Sequence, residues 1–120
     1  MHSVVETHAF RRAAKDAGMT ESEIANLIDI VANDPMVGDE IAGTGGCRKL
    51  RLAGKGKGKS GGYRSITFYS GADVPVFLIT VFAKGDRANL TKAECNALGE
   101  ITRRLVQAYR PKPDRPGEQR

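Results

Sequence analysis

Residues 43–64 read GTGGCRKLRLAGKGKGKSGGYR, and the rest of the chain is organised around this stretch. Seven basic side chains (Arg48, Lys49, Arg51, Lys55, Lys57, Lys59 and Arg64) are interleaved with glycines, and no acid occurs between residues 41 and 72. Residues 47–53 alternate as a half-buried strand does: Leu50 and Leu52 point one way, Lys49 and Arg51 the other. Residues 63–70 are rich in β-branched and aromatic side chains and predict a returning strand, so residues 54–62 form the loop of a hairpin. A packed core gains nothing from such a concentration of like charge, and like charges facing across a hairpin weaken it. Glycines between the lysines let a charged backbone approach closely, which points to a polyanion site.

Working outward, residues 71–73 make a turn, and PVFLITVFA at 75–83 is apolar on both faces, as in a strand covered on both sides. The three strands form an antiparallel meander. On the N-terminal side, residues 2–7 supply an edge strand. A helix over 8–17 follows, with Phe10, Ala13, Ala14 and Ala17 on one side and Gly18 as its stop. Thr20 and Glu23 have capping-box spacing, and Ile24, Leu27, Ile28 and Val31 make the apolar face of a second helix that ends at Asn33-Asp34-Pro35. Beyond Lys84-Gly85-Asp86, Thr91 and Glu94 repeat the capping box. Leu90 and Cys95 are placed as a hydrophobic staple, and Cys95, Leu98, Ile101, Leu105 and Tyr109 form the apolar stripe of a third helix. The expected fold class is α+β: two N-terminal helices packed on an antiparallel β-sheet, a three-strand meander plus an N-terminal edge strand, with a C-terminal helix. Residues 1–109 read as one domain and 110–120 as a flexible basic, proline-rich tail.

At 120 residues and 40% hydrophobic, the chain is long enough for one modest core. Its formal charge of +5 is divided unevenly: residues 1–40 carry a net −5 and residues 41–120 a net +10. The basic half suits a polyanion, not a membrane. No apolar run approaches eighteen residues and no leader-like apolar segment follows Met1, which predicts a cytoplasmic protein. Cys47 and Cys95, with His2 and His8 the only histidines, lack metal-ligand spacing. No metal or cofactor is expected, and both cysteines read as small core residues.

The loop is not a phosphate-binding Walker motif, because GKGKGKSGG lacks the four-residue gap and leads into a strand. No nucleophile elbow, Cys/His pair or placed carboxylate pair is visible. What remains is a sheet face with Lys49 and Arg51 on one strand, Arg64 at the start of the next and Lys84 at the end of the third. In a meander the end of strand three lies near the start of strand two, so Arg64 and Lys84 come together beside Lys49 and Arg51. Cations around one phosphate neutralise it, stabilise the extra negative charge of a five-coordinate transition state, and lower the pKa of a neighbouring lysine. RNA brings its own nucleophile, the 2′-OH, so such a site needs neither a metal nor a protein nucleophile. Loop lysines Lys55, Lys57 and Lys59, with Arg48, would grip flanking phosphates. By alternation Arg64 shares a face with Ile66 and Phe68. Either a bulge near residues 61–62 turns it outward, or it sits half-buried at the sheet edge.

The run GTGGCRKLRLAGKGKGKSGGYRSITFY followed by VFLITVFAKGDRANLT resembles the RelE/ParE superfamily of bacterial toxins, closest to its HigB-like RelE branch, over roughly residues 3–108. The resemblance implies a toxin of a type II toxin–antitoxin system that cleaves messenger RNA in the ribosomal A site and inhibits translation. It also implies a small antitoxin, expected to be a helix-turn-helix protein from the neighbouring gene. Lys49 and Arg51 match the paired basic positions of the Lys-x-Lys strand motif, which implies that one of them is the general base or phosphate clamp; Arg64 matches the arginine of the Gly-Tyr-Arg motif, and Lys84 the basic residue after the apolar strand. The tyrosine near the C-terminus of RelE has no clear counterpart, since Tyr109 falls on a helix stripe; Tyr63 is the candidate for base stacking. Two other functions fit the composition: inhibition of DNA gyrase, as in the ParE branch, and nucleic-acid binding without chemistry.

Overall fold

The computed structural model describes residues 2–53, 62–71, 74–83 and 90–109. The readings made for residues 54–61, 72–73, 84–89 and 110–120 (the lysine loop, part of a turn, the segment beginning at Lys84 and the tail) lie outside the described residues.

The chain opens with β1 (Val4–Glu6) and α1 (His8–Ala17). Thr7 joins them, and its hydroxyl works in two directions. It accepts from the Phe10 amide at 3.0 Å, capping the helix, and donates to the Leu78 carbonyl at 2.9 Å, tying that cap to the sheet. Gly18 closes α1 in the left-handed region at φ 81°. Helix α2 (Glu21–Asn33) has the expected capping box, with Glu23 N to Thr20 Oγ1 at 3.0 Å and Thr20 N to Glu23 Oε1 at 2.9 Å.

Strands β2 (Asp39–Glu40), β3 (Cys47–Leu52), β4 (Tyr63–Phe68) and β5 (Val76–Ala83) complete a five-stranded sheet in the order β1-β5-β4-β3-β2. The meander β3-β4-β5 is antiparallel as expected, but β1 runs parallel to β5, so the sheet is mixed. Two strands separated by most of the chain have no turn to force them antiparallel, and the long connection permits the parallel pairing. Strand β2 is too short to leave an alternation in the sequence. It is positioned by Gly38, whose φ is +96° and where an added Cβ would lie 2.6 Å from the Lys49 carbonyl oxygen.

Both faces of β5 are buried. Helices α1 and α2 cover one, through Phe10, Ala14, Leu27 and Val31 against Val76, Leu78 and Val81. Each fully buried Val, Leu or Phe among these contributes about 1.5–3 kcal/mol by leaving water. A bulge at Ile79, between the pairs Ile66↔Thr80 and Thr67↔Leu78, turns consecutive β5 residues to the second face. There Cys47, Ile66, Phe68, Phe77, Ile79 and Phe82 meet Leu98 of α3 (Lys92–Tyr109).

Helix α3 begins with the expected Thr91–Glu94 box, both bonds being present at 2.8 and 3.1 Å. Its buried face differs from the apolar stripe read in the sequence. Leu98 and Thr102 are the buried residues, Leu105 and Val106 pack beside them, while Ile101 is 41% and Tyr109 47% exposed. The rotation follows from a polar dock. The Thr102 hydroxyl donates to the buried Thr44 carbonyl at 3.0 Å, and an added Cβ on Gly45 would lie 2.9 Å from that hydroxyl. Close approach of the helix to the glycine loop outweighs burial of Ile101. Tyr109 keeps an edge-on contact with Phe77, ring centroids 5.0 Å apart.

Candidate nucleic-acid interface

Directly opposed residues of an antiparallel pair point to the same face, so strand register assembles the site. Arg51 lies opposite Arg64, Arg64 opposite Phe82, and Lys49 opposite Ile66. Lys49, Arg51 and Arg64 therefore share the face that α3 covers further along. They differ in exposure: Arg51 is exposed, Lys49 half-buried and Arg64 only 9% exposed. The two accounts open for Arg64 are both replaced. It stands on the central strand β4, not at the sheet edge, and the ladder keeps regular register at its position. Simple alternation holds, and the arginine is buried on the core face between Arg51 and Phe82.

That placement is electrostatically unfavourable on its own. The Arg64 Nε is buried and has no hydrogen-bond partner among the described residues. A guanidinium stays charged at any ordinary pH, and here it faces a second guanidinium across the strand pair. A buried cationic donor lacking an acceptor, beside another cation, is disposed to take an anion from outside, most strongly one with several oxygens such as a phosphate. On the β2 side of this face the register sets Asp39 opposite Lys49.

The remaining sequence candidates separate from this group. Arg48 points to the face that carries α1 and α2, where its Nη1 donates to the Gly38 carbonyl at 2.9 Å; it braces the β2–β3 turn. Tyr63 also points to the helix face and is 5% exposed, with its hydroxyl donating to Glu23 Oε1 at 3.1 Å. Burial, then the hydrogen bond and charge of Glu23, raise the Tyr63 pKa. The ring is a core residue in this arrangement, and base stacking is not open to it without unpacking the helices. Lys84, Lys55, Lys57 and Lys59 lie outside the described residues. Ala83, which precedes Lys84, pairs with Tyr63 at the Arg64 end of β4, the juxtaposition a meander requires.

The sequence reading passed over Asp39, which lies in the net-acidic residues 1–40, before the basic stretch. Its only local signal is the Gly38-Asp39 step, where a glycine precedes a two-residue strand. Cys47 and Cys95 are both free thiols. Cys47 is fully buried, and burial raises its pKa to about 11, with the Thr44 contact opposing the shift. Among the described residues no group of three or more His, Cys, Asp and Glu side chains could hold a metal ion.

The model of the family described as RelE toxin of the RelE/RelB toxin–antitoxin system matches residues 2–114. The chain belongs to the RelE toxin family. It is thus a toxin of a toxin–antitoxin system, and an antitoxin is its partner. The fold is similar to that of the E. coli toxin RelE, solved in the free state as a double arginine-to-alanine mutant: TM-score 0.52 at 17% identity, covering 84% of this chain and 96% of that one. A likeness at that identity speaks to the α+β fold alone. No described helix of this RelE-family chain is long and apolar enough to cross a membrane.

Proposed function

We propose that this toxin is a ribosome-dependent endoribonuclease that cuts messenger RNA in the A site and so inhibits translation. The observation that carries the reading is the Arg51–Arg64 pair, opposed across β3 and β4 with Lys49 on the same face, and with Arg64 buried and its Nε without an acceptor among the described residues. No folding advantage explains such an arrangement, whereas a phosphodiester satisfies it. In the reaction the 2′-oxygen attacks the adjacent phosphorus while the P–O5′ bond breaks. The cations neutralise the phosphate and hold the additional negative charge of the five-coordinate transition state, each such donor typically supplying about 10²–10³ in rate. The nucleophile belongs to the RNA, so this chemistry calls on no metal. Lys84 and the lysines Lys55, Lys57 and Lys59 are assigned to the phosphate and to its flanking backbone by their motif positions. Residues 1–109 act as the toxin domain, the antitoxin is a helix-turn-helix protein from the neighbouring gene, and the protein works in the cytoplasm.

The test is a translating extract supplied with the protein, with message ends mapped. Cuts within translated codons, reduced by about 10²-fold or more in an Arg64→Ala, Lys84→Ala variant, are expected. Intact messages, or equal cutting by that variant, refute the reading. Cleaved gyrase–DNA complexes accumulating over whole messages would replace it with gyrase inhibition.

A further inference from the structure

We infer that Arg48 is a positioning residue of this site: through the Gly38 carbonyl it aims Lys49 at the reacting phosphate from the opposite face of the sheet. The inference rests on the endoribonuclease reading above and gives Arg48 a role other than gripping flanking phosphates.

The contacts form a short chain across β2 and β3. The Arg48 Nη1 donates to the Gly38 carbonyl at 2.9 Å. Gly38 in turn lies against the Lys49 main chain. An added Cβ there would stand 2.6 Å from the Lys49 carbonyl oxygen and 3.4 Å from the Leu50 Cα. Its φ of +96° lies in the left-handed region that glycine adopts without a Cβ penalty. The next residue, Asp39, then pairs with Lys49. Arg48 and Lys49 are neighbours in β3 and so point to opposite faces. A guanidinium on the helix face therefore fixes the strand edge that flanks Lys49 on the site face.

Lys49 depends on such a tie more than Arg64 does. Arg64 stands on the central strand β4, with β3 and β5 paired on either side, and is buried. Lys49 is half-buried and carries its amine on a flexible four-carbon stem, so its main chain sets where that amine reaches. One edge of Lys49 is held by β4 through Ile66; the other is held by a strand of two residues. So short a strand contributes little pairing of its own, and the Arg48 bond secures it at the end beside Lys49.

Gripping and positioning predict different losses. Removing an arginine that grips a phosphate weakens binding and lowers the salt dependence of affinity by about one unit. Removing a positioning arginine slows the reaction while affinity stays, because misplacing a reacting group by about 1 Å costs up to about 10²-fold. That loss also vanishes once Lys49 is absent, because Arg48 acts through it.

The experiment measures single-turnover cutting on ribosomes programmed with one message. It compares full-length wild type, Arg48→Met, Arg48→Lys, Lys49→Ala and the double variant Arg48→Met, Lys49→Ala. Affinity is measured with the same message carrying a 2′-deoxy nucleotide at the cut, which cannot react. Arg48→Met should cut about 10–10²-fold more slowly with affinity and salt dependence unchanged. Arg48→Lys, which keeps a donor, should recover most of the rate. In the Lys49→Ala background Arg48→Met should cost less than about twofold. The six residue pairs between β3 and β4 remain in every variant, so each should fold, which far-UV circular dichroism checks. Cutting by Arg48→Met within about threefold of wild type, or an equal loss with and without Lys49, overturns the assignment. So does weakened binding with a salt dependence lower by about one unit, or an Arg48→Met protein that does not fold. Each of these leaves the endoribonuclease reading standing, whereas a wild type that cuts no message removes both.

Discussion

Replacing Arg64 by Met should make the folded protein more stable and the toxin inactive. Three features of the structure set the size of the effect. The Arg64 Nε is buried without a partner among the described residues, a position that costs about 1–3 kcal/mol or more for a charged donor. Arg51 stands directly opposite, and a like-charge pair in that register costs up to about 1 kcal/mol more. Methionine keeps the apolar stem that packs beside Phe82 while removing the charge, so little packing is lost. A gain of about 1–3 kcal/mol follows, which for a domain of this size raises the midpoint by about 4 °C per kcal/mol. Urea unfolding in a low-salt, phosphate-free buffer measures it, since guanidinium chloride would screen the repulsion in question. Repeating the titration in phosphate adds a second arm. Wild type should gain stability as phosphate occupies the site, by RT ln(1 + [L]/Kd), and Arg64→Met should not. Message cutting should fall by about 10²–10³. A variant less stable than wild type without phosphate, or an equal phosphate response in both proteins, would refute the view that Arg64 is held at the expense of the fold for an anion.

Three further outcomes follow from other contacts. Thr102→Val keeps the shape but leaves the buried Thr44 carbonyl without its 3.0 Å donor, so urea unfolding should show a loss of about 1–3 kcal/mol that Thr102→Ser largely avoids. Tyr63→Phe removes the bond to Glu23 and should lower stability by about 1 kcal/mol while message cutting is unchanged; a large loss of cutting would return Tyr63 to the site. Cys47 is an acid whose folded pKa lies near 11 against an ordinary 9.0, so the unfolded chain loses its proton first. The contribution of this thiol is complete below pH 9 and is lost as the pH rises toward 11, by about 2 kcal/mol. The difference in thermal midpoint between wild type and Cys47→Ala should accordingly narrow across that window.

Much of the architecture could be read from local pattern. Thr20–Glu23 and Thr91–Glu94 mark helix starts because a capping box is satisfied within four residues, whatever the rest of the chain does. The meander was legible for the same reason: β3 alternates, β4 is rich in β-branched and aromatic residues, β5 is a continuous apolar run, and the three follow one another along the chain. The stripe of α3 was misjudged at Ile101 because apolar periodicity counts carbon and overlooks a hydroxyl. Thr102 wins the buried position through a bond to Thr44, 58 residues away in sequence. Tyr63 was offered to the RNA because aromatic rings near basic residues look like stacking platforms. Its face is set by register, which puts it opposite Leu52 and beneath the N-terminal helices.

By itself, then, the sequence determined the chemistry available: a run of cations without acids, glycines that let a backbone come close, and the strands and helices that local hydrogen bonds and alternation specify. The tertiary structure decided which of those groups act together. Register placed Arg51 against Arg64 and sent Arg48 and Tyr63 to the opposite face, because every side chain in a sheet follows the pairing of its strand. Register also set Asp39 beside Lys49, a pairing ten residues apart that no periodicity announces. The hairpin of residues 43–64 carries the charge, and strand pairing decides where the charge is aimed.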